Sequence, residues 1–205
     1  METRIIISQI FMLAVVVLIG AITARFKVIT PELKDMLSKL IFNISLPLML
    51  FTNFLKIGAT PRLIANSLTV LSVAGFVILF LLLFGWISTR LFKIRDREAA
   101  VFKAHSMFGN TIFLGFPLIT ALYGAEGLLY ATMFQLISNI LMWTVGVVVL
   151  SHGNGVSWKK SILRVLNPNT IATLIGLVFF LFSIKLPEIL LKPLSELGSA
   201  NTWLS

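Results

Sequence analysis

Apolar residues in this chain fall in long blocks separated by short polar connections. The first block, Ile5 to Ala24, contains no charge, and it exceeds a signal-peptide core without offering a cleavage site. A second runs from about Leu33 to Leu55 and carries Asn43, Ser45 and Pro47 near its middle. Ile64 to Thr89 forms a third, with Trp86 as an interfacial anchor at its end. A fourth, Ala99 to Tyr123, and a fifth, Gly127 to Leu150, follow. Asn167-Pro168, a capping residue before a proline at the first helical position, opens a sixth that ends near Ile184. Leu186 to Ser205 begins a seventh. Blocks of about 20 apolar residues have the length of helices that cross a bilayer.

The fourth block differs from the others. Gly109 and Gly115 loosen its backbone, and Pro117 removes an amide and clashes with the carbonyl four residues earlier. Irregular backbone at membrane depth survives only where it is buried in protein or lines a cavity. The stretch from Gly109 to Leu118 therefore predicts an interrupted helix, the way secondary transporters build substrate sites. A plain kink is the competing reading, since Gly and Pro are frequent in membrane helices.

Composition agrees with the block pattern. Hydrophobic residues make up 58% of the chain, charged residues 12%, and the mean hydropathy is +0.98. The absence of cysteine removes disulfides and thiolate metal sites from consideration. The net charge of +9 is carried by short connections, which points to a membrane rather than to nucleic acid. Of the 17 basic residues, twelve lie around the first, third and fifth connections. The other five are Arg4, Lys56, Arg62, Lys185 and Lys192, on the alternate side. This asymmetry predicts an external amino terminus in the plasma membrane, with those three connections in the cytoplasm.

Sliding the chain by 156 positions lays Pro187-Glu188 on Pro31-Glu32, Ile175-Gly176 on Ile19-Gly20 and Phe182 on Phe26. With Leu204 on Leu48, that is six identities in 31 aligned pairs. Five spans separate the copies, so the second enters the membrane in the opposite sense, as an inverted repeat. The expected fold is an all-α polytopic membrane protein. Residues 1–150 form one complete five-helix repeat with a broken fourth helix, 151–166 a cytoplasmic loop, and 167–205 the start of an inverted second repeat.

Several segments together are similar to the auxin efflux carrier family of membrane transporters. They are Asn43-Ile44-Ser45-Leu46-Pro47-Leu48, Phe108-Gly109-Asn110-Thr111 with Leu114-Gly115-Phe116-Pro117-Leu118, and Asn167-Pro168 with Gly176-Leu177. The resemblance spans essentially all 205 residues and aligns with the amino-terminal two thirds of a member. It implies ten helices in two inverted repeats, with broken fourth and ninth helices crossing at the midplane. It also implies transport of organic anions, such as auxin or malate-like carboxylates. Two positions depart from the family pattern: Ile112 stands where Gly is usual, and Trp203 aligns with Pro47. The second crossover lies beyond residue 205, so the carrier reads as truncated. The rival expectation is a non-transporting membrane fragment or pseudogene product that only associates with other helices.

Asn110 and Thr111, with Gly109, Gly115 and Pro117, are the first candidates for substrate contacts. Pro117 is expected to start a half-helix whose amino end turns unpaired N–H groups toward a carboxylate. Asn43, Ser45 and Pro47 line the same cavity from the second helix, or else bind neighbouring helices together. Gln135, Ser138 and Asn139 share one face of the fifth helix, which must point into the bundle. Packing is the favoured role there, with substrate contact by Gln135 and Asn139 as the other. His105, at the cytoplasmic start of helix four, is a candidate for proton coupling, with a solvated interfacial residue as the competing reading. The eight acids all fall at segment ends or in loops, so no intramembrane carboxylate pair is available for acid–base chemistry. Nucleophile elbows, zinc-protease motifs and phosphate loops are absent from the sequence. The basic segment Trp158 to Arg164 reads as a plain charged loop, or as an interfacial helix on anionic lipid. The chain is therefore read as a permease for small organic anions, not an enzyme, with no cofactor and no metal. Its partners are the lipid bilayer and the anion; a coupling ion, proton or sodium, and a homodimer stay open.

Overall fold

The computed structural model describes residues 2–151 and 163–204, and among them every regular element is a helix. Helix α1 spans Glu2–Arg25. Helix α2, Pro31–Leu40, continues through a π turn, Ile41–Ser45, into α3, Leu46–Leu55. Helix α4 spans Pro61–Leu91 and α5 Asp96–Met107. A second π turn, Thr111–Gly115, leads into α6, Phe116–Leu141. A third, Met142–Gly146, joins α6 to the short α7, Val147–Leu150. Helix α8 is Pro168–Leu181 and α9 is Glu188–Leu204. Among the described residues, four helical stretches are long and apolar enough to cross a membrane: Thr3–Arg25, Pro31–Leu55, Pro61–Leu91 and Asp96–Leu150. The reading of Trp158 to Arg164 falls mostly outside the described residues.

Local chemistry sets the helix ends. Thr30 and Thr60 precede Pro31 and Pro61, and their hydroxyls accept from the amides of Leu33 and Leu63. Both helices thus start two or three residues earlier than hydropathy alone suggests. Asn167 caps α8 as expected, accepting from Asn169 and Thr170 at 3.0 and 3.1 Å. Three helices finish alike. After Arg25, Leu91 and Leu181, the chain closes two reversed backbone bonds around Lys27, Lys93 and Ser183, each at φ 53–56°. This is the left-handed helix ending that usually recruits glycine.

The 55-residue stretch Asp96–Leu150 would be about 80 Å long as one straight helix, far beyond a bilayer. It is interrupted twice. Phe108, Gly109 and Asn110 leave the helical path after α5. At Gly124 the backbone takes φ 61° and ψ −148°, a conformation open to glycine, and the chain reverses. Thr111 and Gln135, about 36 Å apart on a straight helix, hydrogen-bond at 2.8 Å. The segment 111–123 is therefore a half-helix folded back on the remainder of α6, which belongs to the fifth apolar block of the sequence. The absence of a side chain at Gly127 permits this contact, since a Cβ there would lie 2.5 Å from the Cβ of Tyr123.

Helix α3 lies at the centre. Gly176 of α8 sits where a Cβ would meet Phe54 at 2.6 Å and the Phe51 carbonyl at 3.0 Å. Gly198 of α9 is as close to the Met49 backbone, at 2.8 Å. Small residues at these crossings let the backbones approach and maximise packing, which drives helix association in lipid. On its other side α3 meets the half-helix and fifth pass in one cluster of Leu46, Met49, Leu50, Phe116, Leu128 and Ala131. By contrast α1 leaves Ile7, Phe11, Val17 and Leu18 exposed, as suits a lipid-facing helix. Glu196 corrects the expectation that every acid sits at a segment end or in a loop, because it lies inside α9. Its carboxylate partly restores the proton affinity of Lys56, which burial pushes below the usual lysine range.

Candidate functional site

The fourth pass breaks upstream of the expected place. Pro117 does not start the half-helix: the chain is already helical from Thr111, with Asn110 as its cap. The Asn110 side-chain oxygen accepts from the Phe113 amide at 3.2 Å, while its amide nitrogen is exposed and has no partner among the described residues. Gly115 is helical as well, at φ −73° and ψ −46°. The irregular backbone is thus confined to Phe108, Gly109 and Asn110.

The π turns explain how both prolines stay inside helices. In each case the residue before proline donates five positions back: Leu46 to the Ile41 carbonyl, and Phe116 to the Thr111 carbonyl. A proline cannot donate four positions back, and its ring strikes that carbonyl. A π turn widens the helix there and removes the conflict. Pro47 and Pro117 therefore follow the same device on adjacent helices, and Phe42 and Phe113 meet edge-to-face between the two turns.

Beside the half-helix is a cavity of about 640 Å³. Thr111, Gly115, Ile119 and Tyr123 line one wall, and Glu126, Tyr130 and Phe134 the other, with Arg62 at its edge. Thr111 donates to Gln135 at 2.8 Å, and Gln135 donates to Asn139 at 2.9 Å. A polar relay thus crosses from the restarted helix to the fifth pass. A volume of this size holds a small organic molecule. The aligned peptide dipoles at Asn110 and Thr111 favour negative charge nearby.

The sequence-based candidates separate into groups. Thr111, Gln135 and Asn139 are joined by hydrogen bonds, and Gly115 shares the cavity wall with Thr111. Gly109 and Asn110 form the exposed break. Pro117 shapes the half-helix without lining the cavity. The second helix contributes less than expected. Asn43 is exposed and donates to the Lys39 carbonyl of its own helix, while Ser45 donates to the Leu197 carbonyl of α9 at 2.9 Å. Ser45 thus joins helices, and Pro47 is buried in α3. Ser138 is buried and His105 is exposed, away from the cavity.

Four residues escaped the sequence reading. Arg62 pairs with Glu126 at 3.3 Å, Tyr130 donates to the same carboxylate oxygen at 2.8 Å, and Asn66 donates to Tyr130 at 3.0 Å. The ion pair is open to solvent, with the side chains 77% and 40% exposed. The spacing is a usable signal: Arg62 and Asn66, like Glu126 and Tyr130, stand four apart at the start of a pass. Among the described residues, Arg62 is the sole cationic side chain lining the cavity.

Comparison with known proteins identifies the family. A family model described as "Membrane transport protein" matches residues 5–203. An uncharacterized transporter of Methanocaldococcus jannaschii is 27% identical over 194 residues, covering 91% of this chain and 62% of that protein. The uncharacterized transporter YfdV of Escherichia coli is 24% identical over 206 residues, covering 96% of this chain and 65% of that protein. The chain thus spans somewhat under two thirds of the length of these relatives. With its apolar passes, interrupted fourth helix and match over nearly the whole sequence, this multi-pass membrane protein belongs to the auxin efflux carrier family of membrane transport proteins.

Proposed function

We propose that the protein carries small organic anions, of the auxin-like or dicarboxylate kind, by alternating access, and that the anion sits at the fourth-helix break. The observation that carries this reading is the capped restart at Asn110 and Thr111, beside a cavity whose sole cationic lining residue, among those described, is Arg62. The exposed Asn110 amide and the half-helix dipole supply donors, and Arg62 supplies charge at the entrance. The Thr111–Gln135–Asn139 relay holds the restarted helix against the fifth pass, so the site is preorganised.

The wider architecture we propose is a five-helix repeat to residue 150, a connection over 151–166, and the opening of an inverted repeat over 167–205. The 156-residue register supports it. Helix α1 ends at Arg25 and α8 at Leu181, and the left-handed residues that follow, Lys27 and Ser183, are also 156 apart. Their three backbone bonds correspond in the same register, for instance Val28 to Thr23 and Ile184 to Phe179. In this topology the amino terminus is external, the membrane is the plasma membrane, and a proton or sodium ion and a second copy of the chain are the partners to examine.

The test is calorimetric titration of purified protein with a panel of mono- and dicarboxylates. An amide hydrogen bond to a charged group contributes about 1.5–3 kcal/mol, or roughly 10- to 150-fold in affinity. Asn110→Ala should lose that factor, and Ser138→Ala should bind like the parent. Equal binding by Asn110→Ala, with loss in Ser138→Ala, would move the site to the buried face of the fifth pass.

A further inference from the structure

We propose that the end of the α4–α5 hairpin opposite Arg62 is a binding site for an anionic diacyl phospholipid. An open cleft of about 720 Å³ lies there, bordered by Trp86, Arg90, Lys93, Arg95, Asp96 and Lys103. Four cations face a single carboxylate, and among the described residues none of them makes an ion pair. Arg90 is held in place by Trp86, its guanidinium carbon 3.9 Å from the indole centroid. Such stacking fixes a guanidinium while leaving N–H groups free to bind phosphate.

The cleft does not end at the charges. A groove of about 390 Å³ begins at the same Trp86 and Lys103 and runs between Leu79, Leu82, Leu83 and Val149. Its walls come from α4 and α7, with Lys103 of α5 at its mouth. Gly85 fixes the crossing: a Cβ there would lie 3.1 Å from Ser106 Oγ and 3.2 Å from Lys103 Cα. Lys103 is thereby carried by close backbone contact rather than by a mobile loop. The hairpin turn is also defined, with Lys93 and Asp96 both in the left-handed region.

A basic cleft continuous with an aliphatic groove at the end of a membrane helix selects an amphiphile with an anionic head. A free phosphate or a small carboxylate would use the cations and leave the groove empty. A zwitterionic lipid would fill the groove and bring a fifth cation against these four. An anionic phospholipid satisfies both halves, the mode in which basic pockets between membrane helices hold lipid headgroups. Leu91 and Phe92, both more than 70% exposed at the tip of α4, add an apolar contact with the same leaflet.

The experiment is native mass spectrometry of the purified protein titrated with phosphatidylglycerol or with phosphatidylcholine of identical chains. Each basic residue near an anionic surface contributes roughly fivefold in affinity. The parent should prefer phosphatidylglycerol at least tenfold, and Arg90→Gln combined with Lys103→Gln should weaken it about 25-fold. The equally charge-reducing pair Lys34→Gln with Lys39→Gln should change it less than about twofold. Leu83→Trp, on an exposed position, fills the groove and should weaken binding with all four cations intact. Glycerol phosphate should fail to compete at concentrations where the lipid saturates. Equal affinity for the two lipids in the parent would overturn the proposal. So would the same loss in both charge pairs, retained binding in Leu83→Trp, or competition by glycerol phosphate, which would mark a free phosphate site.

Discussion

Thr111→Val and Gln135→Leu, alone and together, test the folded-back half-helix through its energetics. The two side chains share a 2.8 Å hydrogen bond although 24 positions separate them in sequence. Thr111→Val removes the donor at nearly constant volume and leaves the Gln135 oxygen without its partner. Gln135→Leu removes that acceptor and also the donor to Asn139. A net hydrogen bond contributes about 0.5–1.5 kcal/mol, and pairs between membrane helices average about 0.6 with a maximum near 1.7. Each single variant should therefore lose about 1 kcal/mol, with Gln135→Leu the larger loss because two bonds go. The Asn139 oxygen is stranded both in Gln135→Leu alone and in the double variant, so its cost cancels in the cycle. The remaining coupling should be about 0.6–1.5 kcal/mol. Equilibrium unfolding in mixed micelles, followed by helicity, measures it. Thr111→Val paired with Thr69→Val is the control, since Thr69 bonds only its own helix. Additivity within about 0.3 kcal/mol for Thr111 and Gln135 would mean the two side chains do not meet, and the hairpin at Gly124 would be wrong.

Other consequences follow from single contacts. Gly176→Val should destabilise the protein by about 1–3 kcal/mol by forcing α8 off Phe51 and Phe54. Gly20→Ala, which meets nothing within 4 Å, should leave the thermal midpoint in place. Arg62→Gln should barely change stability, because an exposed ion pair contributes about 0–1 kcal/mol. At low ionic strength it should still weaken carboxylate binding several-fold and flatten the salt dependence; an unchanged salt dependence would remove Arg62 from the anion's path. Pro117→Ala should leave the break intact, since the chain departs from the helix at Phe108 to Asn110. Labelling of Gly109→Cys should then proceed at the same rate with and without the Pro117→Ala change, and a clear slowing would return the break to the proline.

Much of this fold is written in one-dimensional signals. Asn167-Pro168 is a cap followed by a residue that needs no amide partner, and it starts a helix where it should. Gly109 and Asn110 mark an interruption in sequence and in structure alike, because a capping side chain beside glycine ends a helix locally. Pro117 misleads for a physical reason. The clash of a proline depends on the carbonyl four residues earlier, and a π turn moves that carbonyl without ending the helix. Hydropathy does not register such a turn. The reversal at Gly124 is legible only as a gap between two apolar blocks, since its sign lies in a dihedral angle. Asn43 and Ser45 both read as mid-span polar residues, yet Asn43 bonds back to its own helix and Ser45 reaches α9, because residues two apart on a helix face opposite sides. Arg62 and Glu126 read as loop charges because 64 positions separate them, and no local pattern pairs them across that distance.

The central claim is that a small organic anion occupies the cavity beside the fourth-helix break. The cysteine-free chain allows it to be tested directly, with Gly115→Cys as the reporter. A Cβ at Gly115 meets only the Thr111 Cβ, at 3.8 Å, so the thiol is tolerated on the cavity wall. The rate of alkylation by a soluble thiol reagent is measured with increasing concentrations of each carboxylate, and again with its neutral amide. Gly58→Cys, with nothing within 4 Å and outside the cavity, serves as the reference. The account predicts saturable protection of Gly115→Cys by at least one carboxylate, none by its amide, and none at Gly58→Cys. Equal alkylation of Gly115→Cys with and without every carboxylate in the panel, while the same protein binds an anion by calorimetry, would place the site elsewhere.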